Sequence, residues 1–251
     1  MNTKIYTIAS SGTFGTTGQR RRQDGTCKNG NHDHGSHSLA VLIHGIGGHK
    51  EDWLETDGYT KGGNLTKALE EDGVSWIACD LYGHGENAAR EDGFDSNNIS
   101  DELWPRFISQ SADCILTHLS ALCQEHRFSS LSVITYSAGC QVGMTLLRRI
   151  LPIPVESVLM AALTPERNYD DEYSLHNNLD ALSGKNVCFF SGSHDSIVPV
   201  GDVRWVYDRL QNEKKALYIY ETDHSLPVEW TKDAMHALHA SSAAYQQRHH
   251  T

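Results

Sequence analysis

The apolar residues of this chain are grouped into short runs, which are separated by amphipathic stretches. Runs typical of buried β-strands lie at residues 38–43, 74–79, 131–134, 155–161, 187–190 and 217–220. Between the runs, apolar side chains recur every three to four residues, as at Ala112, Ile115, Leu119 and Leu122, and this spacing predicts helices. The alternation predicts an α/β fold with a mostly parallel central sheet and helices on both of its faces.

Residues that can act as nucleophile, acid and base follow three of these strands. Ser137 lies in the Thr-Tyr-Ser-Ala-Gly segment at residues 135–139, where a strand turning sharply into a helix raises a hydroxyl above the sheet edge. Asp195 follows the strand at 187–190, and His224 follows the strand at 217–220. Taken separately, Ser137 could be a turn residue, Asp195 a carboxylate that begins a helix, and His224 a neighbour of a helix cap. Their occurrence in the order Ser, Asp, His, each after its own strand, favours a single catalytic site.

From about Ser38 to the C-terminal helix, the chain resembles the α/β-hydrolase family. The resemblance rests on the His-Gly-Ile-Gly loop at residues 44–47, the Asp-Leu-Tyr-Gly-His-Gly turn at residues 80–85, the serine segment, and the Asp195 and His224 loops. It implies a nucleophile elbow at Ser137 and a catalytic triad in which Asp195 orients His224. The chain departs from the family pattern at Thr135, because the elbow usually begins with glycine, and we interpret this threonine as a tolerated variant.

The resemblance also implies an oxyanion hole and a substrate-binding surface. The backbone N–H groups of Ala138 and Ile46 are expected to bind the oxyanion, with Gly47 as the alternative to Ile46. We predict that Gly45, Gly47 and Tyr136 contact the substrate, while the turn at residues 80–85 shapes the site. The chemistry needs no cofactor and no metal ion.

The predicted function is that of a serine hydrolase, which cleaves carboxylic esters of small molecules through an acyl-enzyme on Ser137. Two alternatives stay open: a thioesterase acting on acyl carriers, and a ligand-binding receptor of the same fold with slow turnover. Family lids usually lie in the stretch that corresponds to residues 163–185, which has room for little more than one helix, so we expect a minimal cap and an open site. Residues 86–105 are expected to rim the pocket, with Trp104 and Phe107 as apolar candidates.

Length and charge agree with one catalytic domain over residues 1–251, in which residues 1–37 form N-terminal edge strands and a polar, histidine-rich loop. The formal net charge of −11 argues against nucleic acid or an anionic membrane as the main partner. The first 22 residues lack the apolar core of a signal peptide, which predicts a cytoplasmic protein. The sequence does not predict the oligomeric state.

The cysteine and histidine patterns give little support for a metal site. The six cysteines lack the paired spacing of metal ligands and are expected to be reduced, with Cys140 packed beneath the elbow helix. His32, His34 and His37 lie close together in a glycine-rich stretch. We interpret this stretch as a solvated loop, with zinc or nickel binding as the alternative.

Overall fold

The computed structural model describes residues 38–87, 95, 97–163, 173 and 175–241. The strands of this part of the chain are β1 (Ser38–Ile43), β2 (Ser75–Ala78), β3 (Ser130–Tyr136), β4 (Val155–Ala161), β5 (Asn186–Gly192) and β6 (Lys215–Tyr220). The helices are α1 (Gly62–Glu71), α2 (Trp104–Glu125), α3 (Gly139–Leu147), α4 (Val200–Arg209) and α5 (Glu229–Ser241). Short 3₁₀ turns lie at Lys50–Trp53, Gly85–Asn87 and His176–Leu182.

The strands form a six-stranded sheet in the order β2-β1-β3-β4-β5-β6, and every neighbouring pair is parallel. Successive side chains of a strand point to opposite faces of the sheet, and both faces are covered by helices. Leu39, Val41 and Ile43 of β1 belong to the core beneath α2, α3 and α4. Ala40 and Leu42 belong to the core beneath α1 and α5. The predicted α/β fold is therefore confirmed.

The strand order brings the predicted site residues to one edge of the sheet. The chain leaves β1 in one direction to reach β2, and then crosses to the other side of β1 to form β3, so the order reverses between β1 and β3. Loops at such a switch point diverge and leave a crevice at the carboxyl ends of the strands. Ile43 pairs with Thr135 at the ends of these two strands, so the loop after β1 lies directly beside Ser137.

The start of α2 corrects one prediction about the pocket rim. The helix begins at Trp104, with Pro105 in its first turn, where the missing N–H of proline costs no helical hydrogen bond. Trp104 and Phe107 are both fully buried in the core, and Nε1 of Trp104 donates to Gln141 Oε1 at 2.7 Å. Neither ring has surface that a substrate could contact, so the prediction that they rim the pocket is wrong.

Several predictions lie outside the described residues. They include the edge strands and the cluster of His32, His34 and His37 within residues 1–37, residues 88–94 and 96 of the predicted pocket rim, and residues 164–172 and 174 of the cap stretch. The described remainder of that stretch holds one short 3₁₀ turn, and its Leu175 and Leu182 join the core on the α3 face. In the part of the chain that the structure describes, no helix is long and apolar enough to cross a membrane.

The described cysteines carry free thiols. They are Cys79, Cys114, Cys123, Cys140 and Cys188. Burial raises the pKa of the Cys79 thiol and of the Cys188 thiol, the latter to about 11. The reduced state of the cysteines stays a prediction, and Cys27 lies outside the described part.

Candidate active site

Ser137 occupies a strained turn between β3 and α3. Its φ angle is +51°, in the left-handed region that residues with a side chain rarely adopt. Gly139 lets the helix approach closely, because a Cβ at that position would lie 2.4 Å from the carbonyl oxygen of His44. The serine hydroxyl is thereby raised at the N-terminus of α3, where free N–H groups favour negative charge.

His224 lies between Ser137 and Asp195 and hydrogen-bonds to both. Its Nε2 is 3.1 Å from Oγ of Ser137, and its Nδ1 is 2.8 Å from Oδ2 of Asp195. The side chain of His224 is 22% exposed, whereas that of Asp195 is fully buried. The structure therefore brings the three predicted triad residues together at distances suitable for proton transfer.

The carboxylate of Asp195 is held by its own loop. Its Oδ1 accepts the backbone N–H groups of Ile197 at 2.9 Å and Val198 at 2.8 Å, which leaves Oδ2 for the imidazole. With Oδ2 as an acceptor, the proton of the neutral ring lies on Nδ1, and Nε2 is free to accept the serine proton.

The loops that carry Asp195 and His224 are joined by backbone hydrogen bonds. The N–H of Ser193 donates to Tyr220 O at 2.8 Å, and the N–H of His194 donates to Thr222 O at 2.9 Å. Gly192 lies against the base loop so closely that a Cβ would come within 2.1 Å of Asp223 O. This contact fixes the distance between Asp195 and His224, and sequence analysis gave no indication of it.

The loop at residues 45–48, which we call the oxyanion loop, lies against the serine. A Cβ on Gly45 would be 3.0 Å from the Cβ of Ser137, so only glycine allows this approach without displacement. Within the described part of the chain, the N–H groups of Ile46 and Ala138 make no hydrogen bond. These are the two donors expected from the sequence, and both are available to a developing oxyanion.

Gly47 is not available for the role given to it as the alternative donor. Its N–H donates to Nε2 of His84 at 3.1 Å, so the bond to histidine occupies it. The partner is 37 residues away, in the turn after β2, and no local signal in the sequence indicates the pairing. The assignment of Gly47 as the fallback donor is therefore wrong, and Ile46 remains the predicted second donor.

Two histidines support the oxyanion loop with buried rings. His84 orients its Nδ1 towards Tyr82 O at 3.1 Å while Nε2 accepts from Gly47. His44 donates from Nδ1 to Gly45 O at 2.7 Å and accepts the N–H of Leu81 at Nε2, at 3.1 Å. Burial lowers the pKa of His44 to about 4, which keeps this ring neutral near pH 7.

A buried ion pair holds the 3₁₀ turn that follows the oxyanion loop to the turn after β2. Nζ of Lys50 is 2.6 Å from Oδ2 of Asp80, and both side chains are almost completely buried. Asp80 also accepts the N–H groups of Lys50 and Glu86, each at 2.9 Å. Burial disfavours both charges, but hydrogen bonds and mutual attraction outweigh it, so the pKa of Lys50 is raised and that of Asp80 is lowered.

Tyr136 differs from its predicted role in substrate binding. The residue is fully buried, its hydroxyl donates to the carbonyl oxygen of His224, and its ring packs edge-on against the imidazole at 5.5 Å. A side chain without exposed surface does not contact a substrate, so the prediction is wrong for Tyr136. Its contacts instead hold the ring and backbone of His224.

Thr135 fits the elbow because the residue of α3 that faces its methyl group is glycine. Its methyl group points at Gly143, where a Cβ would lie 2.5 Å from Thr135 Cγ2. Its hydroxyl is 3.1 Å from Sγ of Cys140 and 3.2 Å from Leu159 O. Cys140 is fully buried, as predicted. Glycine at position 143 in α3 thus makes the room that glycine at position 135 usually provides.

Comparisons with known proteins agree with this architecture. The sequence model of the α/β-hydrolase family matches residues 40–246. A solved structure from Thermus thermophilus is similar to this chain, with a TM-score of 0.63 and 16% identity over 82% of this chain and 89% of that one. No curated protein matches the sequence significantly.

Two solved esterases show the same fold at low identity. One is from Pyrococcus furiosus, with a TM-score of 0.61 and 16% identity over 82% of this chain and 84% of that one. The other is from Exiguobacterium antarcticum, with a TM-score of 0.57 and 12% identity over 82% of this chain and 91% of that one. At these identities the likeness extends to the fold.

Proposed function

Because the chain belongs to the α/β-hydrolase family, we propose that it is a serine hydrolase that cleaves carboxylic esters through an acyl-enzyme on Ser137. The observation that carries the proposal is the continuous chain of hydrogen bonds from Ser137 through His224 to the buried Asp195. A serine hydroxyl is a poor nucleophile at neutral pH, and a base within hydrogen-bond distance removes this obstacle.

In the acylation step, Oγ of Ser137 attacks the carbonyl carbon of the ester while Nε2 of His224 takes its proton. The negative charge that develops on the carbonyl oxygen is bound by the N–H groups of Ile46 and Ala138. The tetrahedral intermediate collapses, the bond to the alcohol oxygen breaks, and the imidazolium returns its proton to that oxygen. Asp195 stabilises the imidazolium throughout and keeps the ring in the productive tautomer.

Deacylation repeats the same sequence with water as the nucleophile. His224 takes a proton from the water, the acyl-oxygen bond to Ser137 breaks, and the proton passes to Oγ as the carboxylic acid leaves. The partly exposed imidazole and serine give water access to the acyl-enzyme. Cleavage of oxygen esters therefore needs no group beyond those already described.

Labelling with a fluorophosphonate and turnover of short-chain p-nitrophenyl esters test the proposal together. Ser137→Ala is expected to abolish labelling and lower ester hydrolysis at least about a thousandfold, because the covalent route is lost. Ser130→Ala is the matched control, since Ser130 lies at the opposite end of the same strand and its hydroxyl bonds to that of Ser38. Labelling that persists in Ser137→Ala would contradict the assignment of the nucleophile.

The leaving group distinguishes the alternatives. Wild-type protein should be compared on an oxygen ester, a thioester and an amide that share one acyl group. Faster turnover of the oxygen ester supports the proposal, whereas a strong preference for the thioester favours the thioesterase. Labelling of Ser137 without turnover of any of the three would favour a binding protein of this fold.

A further inference from the structure

The segment between the oxyanion loop and α1 contacts both the oxyanion loop and the residues that hold the His224 loop. In this segment, Oδ2 of Asp52 accepts two hydrogen bonds, from the N–H of His49 at 3.0 Å and from the hydroxyl of Tyr59 at 2.7 Å. Asp52 is 5% exposed, so water competes little for its carboxylate. The pair of Asp52 and Tyr59 therefore fixes the chain immediately after the oxyanion loop.

This pair lies directly against the oxyanion loop. A Cβ on Gly48 would be 2.6 Å from both Asp52 Oδ2 and the Tyr59 hydroxyl, so the side chains touch the backbone of the loop. The N–H of Gly48 closes the turn by donating to Gly45 O at 3.3 Å. Ile46 lies within this turn, so a shift of Gly48 alters the direction of the Ile46 N–H.

The other side of Tyr59 contacts the elements that hold the base. Its ring packs edge-on against Tyr136 at 5.0 Å, and Tyr136 in turn contacts the ring and the carbonyl oxygen of His224. The backbone carbonyl of Tyr59 accepts the N–H of Leu226 at 3.1 Å, two residues after His224. The hydroxyl of Tyr59 thus connects to the oxyanion loop through Asp52. Its ring and its backbone carbonyl connect to the loop that carries His224, through Tyr136 and Leu226.

We propose that Tyr59 is a positioning residue, whose hydrogen bond to Asp52 holds the oxyanion loop in register with the His224 loop. The role rests on the proposed function, in which the Ile46 N–H binds the oxyanion. Burial raises the pKa of the Tyr59 hydroxyl, and the hydrogen bond to Asp52 raises it further. The hydroxyl is therefore a permanent donor at any pH at which the enzyme works.

Tyr59→Phe tests the role because it removes the hydroxyl and keeps the ring and the backbone contacts. Tyr220→Phe is a matched control, since its hydroxyl also donates to a carboxylate, Asp233, at 2.8 Å but on the α5 side. Removing an oxyanion donor costs about 10²–10³ in kcat, and misaiming one costs less. We expect Tyr59→Phe to lower kcat about tenfold, with KM changed less than about twofold.

Two further readouts separate positioning from a general structural effect. The rate of fluorophosphonate labelling should fall with kcat in Tyr59→Phe, because the phosphonyl oxygen binds the same two N–H groups. The acid limb of the pH profile should stay where it is in the wild type, because the contacts to His224 are intact. The thermal midpoints of Tyr59→Phe and Tyr220→Phe should be lowered to a similar extent.

Variants of Asp52 complete the test. Asp52→Asn retains an oxygen acceptor for both donors and should keep most of the activity, whereas Asp52→Ala should resemble Tyr59→Phe. If the two side chains act as one unit, the double variant Asp52→Ala/Tyr59→Phe is no slower than the slower single variant.

The outcomes separate this role from the proposed function. A Tyr59→Phe variant as active as Tyr220→Phe, or strictly additive losses in the double variant, would overturn the role of Tyr59 alone. A wild-type protein that neither labels at Ser137 nor hydrolyses any ester would overturn the proposed function, and the role of Tyr59 with it.

Discussion

The two sides of the serine elbow both hold histidines, and their hydrogen-bond partners differ. On the base side, His224 lies between a carboxylate and a hydroxyl, with its side chain 22% exposed. On the oxyanion side, His44 and His84 are buried, and each accepts a backbone N–H at Nε2. A nitrogen that accepts an amide proton cannot take up another proton without breaking that bond.

This difference divides the histidines into two kinds. A carboxylate at Nδ1 stabilises the charged ring, which suits His224 to the base role that we propose for it. Backbone partners at both nitrogens stabilise the neutral ring, so His44 and His84 act as fixed connectors between the loop after β1 and the turn after β2. The residue type is the same on both sides, and the partners determine its role.

The largest effect should come from replacing the base. His224→Ala should lower kcat/KM about 10³–10⁴-fold, because the serine loses its proton acceptor. Its thermal midpoint should stay close to that of the wild type, because the ring is partly exposed. His44→Ala should instead lower the midpoint strongly, since it leaves the N–H of Leu81 without its acceptor in the core.

Enzyme kinetics and thermal unfolding of both variants check this comparison. His236→Ala is the control, because His236 is an exposed histidine of α5. A His224→Ala variant with wild-type activity would show that His224 is not the base, and the contrast with His44 and His84 would then be wrong.

The second prediction concerns the partner that makes His224 a base. In Asp195→Asn, the amide oxygen can keep the bonds from Ile197 and Val198, while the NH₂ group faces Nδ1 of His224. The ring must then accept at Nδ1 and carry its proton on Nε2, so it cannot accept the serine proton. We expect kcat to fall by about 10²–10⁴ with little loss of stability.

Asp113→Asn is a control for the loss of one negative charge, because Asp113 is exposed and pairs with Arg149 at 3.1 Å. Activity in Asp195→Asn equal to that of this control would mean that another acid serves His224. A crystal structure of Asp195→Asn would show whether the ring of His224 keeps its position between residues 137 and 195.

The sequence predicts the parts of the site that follow from strand ends. Ser137, Asp195 and His224 each end a run of buried apolar residues, and parallel strands bring such ends to one edge of the sheet. Tyr136 could have been predicted to be buried from the same pattern. It continues the alternation of Ile134 in β3, so its side chain points into the core shared with α5.

Other parts of the site depend on contacts between distant segments. The bond between Gly47 and His84 spans 37 residues, and the Lys50 and Asp80 pair spans 30. Neither has a periodic signal, because each joins one loop to another. The prediction that Trp104 rims the pocket is wrong because the position of this fully buried residue depends on where α2 begins, and helix ends are poorly determined by periodicity.

The smallest expected effect is on the pH dependence of stability, and it distinguishes His44 from His224. The folded-state pKa of His44 is about 4, below the 6.5 of an unperturbed histidine, because burial disfavours the charged ring, and repulsion from the neighbouring His84 ring, were both rings protonated, lowers the pKa of His44 further. The bond to Gly45 and the charges of Asp80 and Asp52 oppose the shift only in part. The unfolded chain therefore binds a proton first, and the stability that His44 contributes is complete above pH 6.5 and lost as the pH falls towards 4.

His44→Gln keeps an acceptor for the Leu81 N–H but has no titrating group. Between pH 7 and pH 4, the wild-type free energy of unfolding should fall by on the order of 3 kcal/mol more than that of the variant. Denaturant unfolding at a series of pH values measures both slopes, and the carboxylates, which titrate in both proteins, cancel in the difference. The acid limb of ester hydrolysis should persist in His44→Gln, because it belongs to His224. Parallel slopes would show that His44 is not held neutral by the fold, and an acid limb that disappears with His44 would reverse the roles of the two histidines.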